Sequence, residues 1–182
     1  MRSRSLPERW NSHDAGWCLR GNRLCARNGV LRYFALVSRL GDGVAWYALM
    51  GVLVAVGGER GGWAAVHMAA IGVVSLLLYK ALKRWTRRPR PFASDVRIRA
   101  WVAPLDEFSF PSGHTLHAVG FTLVALAYFP VLAWVLVPFT ASVALSRVVL
   151  GLHYPSDVLA ATAIGCALAG GSLWLLPGAP IA

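Results

Sequence analysis

The amino-acid sequence predicts an all-α, polytopic membrane helical bundle, and three observations predict it. Hydrophobic residues make up 57% of the 182 residues and charged residues 14%, a balance foreign to a soluble domain of this size. The apolar residues gather into five runs, each near the roughly 20 helical residues that cross a hydrocarbon core about 30 Å thick. If the runs alternate direction, seventeen of the eighteen Lys and Arg residues share one face of the membrane.

Residues 1–40 come first and differ in kind from the rest. Eight arginines are scattered among Trp10, Trp17, Leu19 and Leu24, which makes the segment too polar to span. From Val30 onward, Val30, Phe34, Val37 and Leu40 recur at helical spacing while Arg32 and Arg39 fall elsewhere, the pattern of an amphipathic helix lying on a membrane surface. The start MRSRSLPERWNSHD has no apolar stretch of the kind a cleavable signal needs, so the later apolar runs are expected to stay in the mature protein.

Residues 41–182 form the expected transmembrane domain, with spans near 44–57, 63–82, 115–129, 131–150 and 158–176. A sixth span hidden between about 16 and 40 is the alternative topology. Burying Arg20, Arg23, Arg27 and Arg32 there costs about 2.5 to 3.5 kcal/mol for each arginine near the bilayer centre. With five spans, the N-terminal segment, the loop 83–114 and the stretch 147–157 emerge together, and the positive-inside rule makes that face cytoplasmic. A sixth span would put the loop outside.

The net charge of +10 does not call for nucleic acid. The basic residues cluster beside apolar spans, where anionic lipid head groups and phosphorylated substrates are the fitting partners. Cys18, Cys25 and Cys166 are odd in number and include no CxxC pair, so neither a disulfide framework nor a zinc site is indicated.

Three clusters carry chemistry on the charged face. KRWTRRPRP, residues 83–91, releases five cations at the end of an apolar helix that prolines then stop. It reads either as a stop-transfer run or as a clamp whose guanidinium forks hold phosphoryl oxygens. FPSGHT, residues 110–115, sets Ser112, Gly113 and His114 in the first turn of a helix, where free N–H groups attract anions; Ser112 also suits a plain helix cap. SRVVLGLHYPSD, residues 146–157, places Arg147 at the end of one span and His153 four residues before Asp157 at the start of the next. A carboxylate that holds one imidazole nitrogen frees the other to attack. Asp106 and Glu107 could imitate metal ligands but have no partnered histidine, and His117, three residues after His114, is expected to pack.

At these residues the chain resembles the type 2 phosphatidic acid phosphatase family, whose signature is K-x6-RP, then PSGH, then SR-x5-H-x3-D. Lys83 with Arg90-Pro91, the run from Pro111 to His114, and Ser146-Arg147 with His153 and Asp157 reproduce all three parts in order. The resemblance implies a lipid phosphatase of a bacterial cytoplasmic (inner) membrane. In it His153 attacks phosphorus, Asp157 orients His153, and His114 protonates the leaving group. Lys83, Arg90, Ser112, Gly113 and Arg147 hold the phosphate, and neither metal nor cofactor is required. The implied partner is a lipid phosphate or diphosphate such as phosphatidic acid, phosphatidylglycerol phosphate or a polyprenyl diphosphate. A phosphotransferase of the same chemistry and a non-catalytic polyprenyl-phosphate carrier are the alternatives. A soluble haloperoxidase sharing the signature would not need five apolar spans.

Overall fold

A computed structural model of the chain describes residues 6–176, with side chains from residue 13 onward. Among these residues every regular element is helical, and eight α-helices follow in order. They are α1 (Leu6–Arg23), α2 (Asn28–Arg39), α3 (Ala45–Val56), α4 (Gly58–Thr86), the one-turn α5 (Pro91–Ser94), α6 (Gly113–Tyr128), α7 (Ala133–Val149) and α8 (Pro155–Leu175). The five apolar runs appear as α3, α4, α6, α7 and α8, with ends shifted by up to five residues.

Four stretches are long and apolar enough to cross a membrane: Asn28–Val56, Gly58–Ser94, Pro130–Val149 and Pro155–Leu175. The first of these joins the amphipathic helix to the first span. A π-turn at Leu40–Val44 carries the chain from α2 into α3, and Gly43 absorbs the distortion with a φ of 139°. Val37 is buried and Arg32 and Arg39 are exposed, so the amphipathic pattern reads correctly while its helix runs on into the bundle. A separate sixth crossing between 16 and 40 is not among the four.

The one apolar run outside these four stretches is α6, with 16 residues, about 24 Å. It sits at the centre, packed against α4, α7 and α8, with ten of its residues buried. Close approach comes from glycines at the crossings. A Cβ on Gly72 would meet Phe121 at 3.0 Å, one on Gly120 would meet Ile71 at 3.0 Å, and one on Gly165 would meet Val119 at 3.0 Å. Small residues at such contacts are how helices associate in lipid, where burial of apolar surface provides no net drive.

The outer surface is apolar. Val52, Val66, Val73, Leu77, Val135 and Leu159 are all exposed, as a lipid-facing surface requires. Exposed Trp63, Trp134 and Trp174 mark one end of the bundle and Trp85 the other, the positions of aromatic belts. The alternating path then sets the start of α3, the end of α4, the start of α6, the end of α7 and the start of α8 at one end. That is the end where all three clusters lie.

The polar helix α1 packs beneath this end against α7 and α8. Asn22 donates to the carbonyls of Arg99 and Val149, at 2.9 and 3.1 Å, and accepts from the Arg99 amide at 3.0 Å. Asp14 accepts from the Ser156 amide at 3.1 Å at the head of α8. Helix α1 thus braces the loops that follow α5 and α7 through Asp14 and Asn22.

Candidate active site

The nucleophile predicted from sequence lies in the tight connection from α7 to α8. Gly151 turns that connection with a φ of 76°, and a Cβ there would stand 2.5 Å from the Arg99 carbonyl. The His153 amide donates to the Arg147 carbonyl at 3.0 Å, which ties the loop to the last turn of α7. Pro155 then opens α8 at its first position, where a missing N–H does no harm.

His153 is 1% exposed, and its two nitrogens face different partners. Nδ1 stands 3.6 Å from Asp157 Oδ2 and makes no hydrogen bond at that distance. Nε2 stands 3.4 Å from the Arg90 guanidinium and lines the cavity. Burial, with Arg147, Arg90 and Lys83 around it, holds the His153 imidazole well below its usual titration range. The ring is therefore neutral near pH 7 and keeps a lone pair on one nitrogen.

Asp157 is wholly buried. Its Oδ2 accepts from the Tyr154 amide at 2.9 Å and its Oδ1 from Arg88 at 2.6 Å. Arg88 also reaches Ser156 Oγ at 2.7 Å and Asp14 at 2.8 Å, and it lies over the Tyr154 ring. The sequence puts Arg88, like Arg87, outside the signature, as a residue that either supports the site or touches lipid head groups. A cation two residues before Arg90 is marked by no spacing rule, and only the fold turns it toward the carboxylate.

Arg90, Lys83 and Arg147 converge from three places. Lys83 is buried in the last turns of α4. Arg87 then ends that helix in the left-handed conformation, so the chain doubles back and Arg90 enters the site at 2% exposure. Arg90 donates to the Leu152 carbonyl at 2.8 Å, which fixes its fork beside His153. Arg147, also 2% exposed, bonds Ser38 Oγ on α2, while its Nε has no partner.

One anion already lies on this clamp. Asp106 accepts from Lys83 Nζ at 2.6 Å and from Arg90 Nη2 at 2.7 Å. Burial alone would raise its carboxyl, but these two cations outweigh that and hold it below the ordinary carboxylate range. The sequence reading weighed Asp106 as a metal-ligand mimic; the structure gives it cations as partners. Among the described residues no group of three or more His, Cys, Asp or Glu side chains is placed to hold a metal ion.

The start of α6 completes the site. Ser112 is buried and caps the helix: its Oγ lies 3.5 Å from the Thr115 amide and 3.0 Å from Thr115 Oγ1. The amides of Gly113 and His114 follow in the first turn, where no intrahelical acceptor exists. His114 Nε2 is hydrogen-bonded to the carboxylate of Asp42, from the π-turn between α2 and α3. Sequence reasoning missed Asp42, although an acidic residue between two glycines at the mouth of a span is an unusual and readable signal. His117 faces the carbonyls of Gly113 and Gly72, at 2.9 and 3.1 Å, and packs between Tyr79 and Phe121.

All eight residues named from the sequence therefore lie at one end of the bundle. Lys83, Arg90, His114, Arg147 and His153 line a cavity of about 820 Å³. Its other wall is apolar, built from Trp46 and Met50 on α3 and Val73 and Leu76 on α4. Cationic floor and apolar wall together fit an amphiphile with an anionic head.

Comparison with known proteins agrees. The chain is 34% identical over 143 residues to a decaprenylphosphoryl-5-phosphoribose phosphatase of Mycolicibacterium smegmatis, covering 75% of this chain and 73% of that one. It is 33% identical over 125 residues to phosphatidylglycerophosphatase B of Bacillus subtilis, where it spans 55% of the relative's length and 58% of its own. In fold it is similar to the crystal structure of a transmembrane PAP2-type phosphatidylglycerolphosphate phosphatase from Bacillus subtilis, with a TM-score of 0.75, 24% identity, and coverage of 91% of this chain and 85% of that one. It is also similar to Aquifex aeolicus LpxE, with a TM-score of 0.69 and 24% identity over 81% of this chain and 87% of that one. The PAP2 superfamily model matches residues 63–179, well over half of the sequence and all three clusters, and the chain belongs to that superfamily.

Proposed function

We propose that this protein is a membrane-embedded lipid phosphatase that hydrolyses a phosphate monoester or pyrophosphate at the head of a lipid through a phosphohistidine on His153. The observation that carries the reading is the orientation of His153. One nitrogen is turned to Asp157 and the other to Arg90 at the floor of the cavity.

In this reading the Nε2 lone pair forms the N–P bond as the bond from phosphorus to the lipid oxygen breaks. The electron pair leaves on that oxygen, which takes a proton from His114. Asp157 closes on Nδ1–H as the ring gains charge, a tightening common between ligand-free and reacting geometries. Water then attacks phosphorus and gives a proton to His114, and the N–P pair returns to Nε2 as inorganic phosphate leaves. Lys83, Arg90, Arg147, Ser112 and the Gly113 amide hold the equatorial oxygens, displacing Asp106 from the clamp. That set of donors supplies charge stabilisation from the chain itself, so activity is expected to persist in EDTA.

The relatives named above act on a polyprenyl-linked phosphate and on phosphatidylglycerol phosphate, and another, 29% identical over 94 residues, is an undecaprenyl-diphosphatase of Bacillus subtilis. The substrate proposed here is of that class: an anionic phosphate head on an acyl or prenyl chain that lies along Met50, Val73 and Leu76. In this reading the hydrolytic machinery is assigned to residues 41–182 and residues 1–40 are a separate basic segment, in a bacterial cytoplasmic membrane.

The test is phosphate release from a panel of lipid phosphates and diphosphates by purified protein in detergent with EDTA. Release by wild type that vanishes in His153→Ala supports the proposal and ranks the substrates. Release that needs added metal, or that survives His153→Ala, overturns it.

A further inference from the structure

Asp42 is a carboxylate that a phosphate site should not want. It lines the same cavity as Lys83, Arg90, Arg147 and His153, where its charge repels an incoming phosphate. It is nevertheless built in. The π-turn Leu40–Val44, with Gly43 at a φ of 139°, breaks the run from α2 to α3 at this residue. Gly41 is buried against α7, where a Cβ would meet both Val143 methyls at 3.1 Å. π-turns of this kind recur at functional sites because they re-aim one side chain.

The side chain so aimed meets His114. Asp42 Oδ1 is hydrogen-bonded to His114 Nε2, and Asp42 itself is 36% exposed toward the cavity. A carboxylate only accepts, so the shared proton belongs to Nε2. The proton that His114 exchanges with a substrate oxygen must then sit on Nδ1. We propose that Asp42 is the positioning residue of the proton donor: it fixes the tautomer and ring plane of His114, leaving Nδ1 to protonate the departing lipid oxygen. Asp42 with His114 mirrors Asp157 with His153, one pair serving the leaving group and the other the nucleophile. This rests on the phosphohistidine reading above.

The balance is simple. As the bond from phosphorus to oxygen breaks, its electron pair goes to the lipid oxygen, and that oxygen takes the Nδ1 proton. The imidazole that remains keeps Nε2–H on Asp42. When water attacks the phosphohistidine, its proton returns to Nδ1. The charged and titratable groups around His114 are Asp42 from the π-turn, Arg147 from α7, His117 from its own helix and His153 from the turn between α7 and α8, and Asp42 is the one acid among them.

The test compares two esters in detergent micelles. Dioleoyl phosphatidic acid releases an alkoxide that needs a proton, whereas p-nitrophenyl phosphate releases a phenolate that does not. Asp42→Asn should lower kcat for the lipid about 10²-fold more than for the aryl ester, the scale of general acid catalysis, with KM moved less than about 3-fold. Asp42→Glu should recover at least about tenfold of the loss. The alkaline limb of the kcat profile should move to lower pH in Asp42→Asn. Combined with His114→Ala, Asp42→Asn should cost nothing further, because the two act as a unit. Equal losses on both esters, a loss confined to KM, or additive losses in the double variant would mean that Asp42 only holds the structure together, and the proposal fails. Activity surviving in His153→Ala sinks the underlying mechanism instead, so the two failures are told apart.

Discussion

Arg90 illustrates how much one residue does at the proposed site. Its guanidinium bonds the Leu152 carbonyl with one nitrogen and Asp106 with another while facing His153. A lysine offers one compact charge and cannot make these contacts together. Arg90→Lys is expected to lower kcat/KM for lipid phosphate release by about 10²-fold or more, the scale of losing one preorganised donor. His153 makes a pH-dependent contribution to folding. Its folded-state titration lies well below that of the unfolded chain, so the unfolded chain binds the extra proton. The contribution of His153 to stability in the ligand-free protein is therefore full above about pH 6.5 and declines as pH falls below it. Thermal unfolding in detergent at pH 7.5 and 5.5 should show that decline in wild type and a smaller one in His153→Asn. At this scale the three clusters were legible in the sequence because the chemistry needs fixed residue types at fixed spacing. The partners of Asp42, Asp106 and Arg88 were not, because each partner comes from another element and nothing local to the residue marks it.

The elements act as mounts. The turn at Gly151 aims His153, and a side chain there would strike Arg99 O at 2.5 Å and Asn22 Nδ2 at 2.8 Å. Gly151→Ala is expected to destabilise the protein by about 1–3 kcal/mol, the range for strain at a positive φ, and to lower activity with it. A lower midpoint of thermal unfolding checks the first half, and phosphate release the second. Helix α1 holds the far side of the same loop through Asp14, whose carboxylate bonds Arg88 and Ser156. Asp14→Ala removes one anion from the pair that holds Arg88, and a loss of about 1–3 kcal/mol is expected by the same measurement. The sequence placed this segment outside the bundle on polarity alone. Its polar side chains in fact hydrogen-bond the loops of the charged face, a use of polarity that composition does not distinguish from solvation.

At the scale of the whole molecule, five apolar runs and their alternating direction suffice to bring three distant clusters to one end. The helices then approach closely at Gly72, Gly120 and Gly165. Gly165→Leu would press on Val119 and on the Leu116 carbonyl at 3.1 Å, and is expected to destabilise the bundle by about 1–3 kcal/mol without touching a charged residue of the site. Unfolding midpoints in detergent would measure that. Fold class, the number of apolar helices and the side that carries the charge were determined by the sequence itself, because hydropathy, helix length and charge position are properties of contiguous residues. The pairings were decided by tertiary structure alone: Asp42 with His114, Asp106 with Lys83 and Arg90, and both Asp14 and Asp157 with Arg88. Each joins residues from separate elements, and which carboxylate meets which cation depends on how helices cross and where loops fold back, quantities that no single stretch of chain contains.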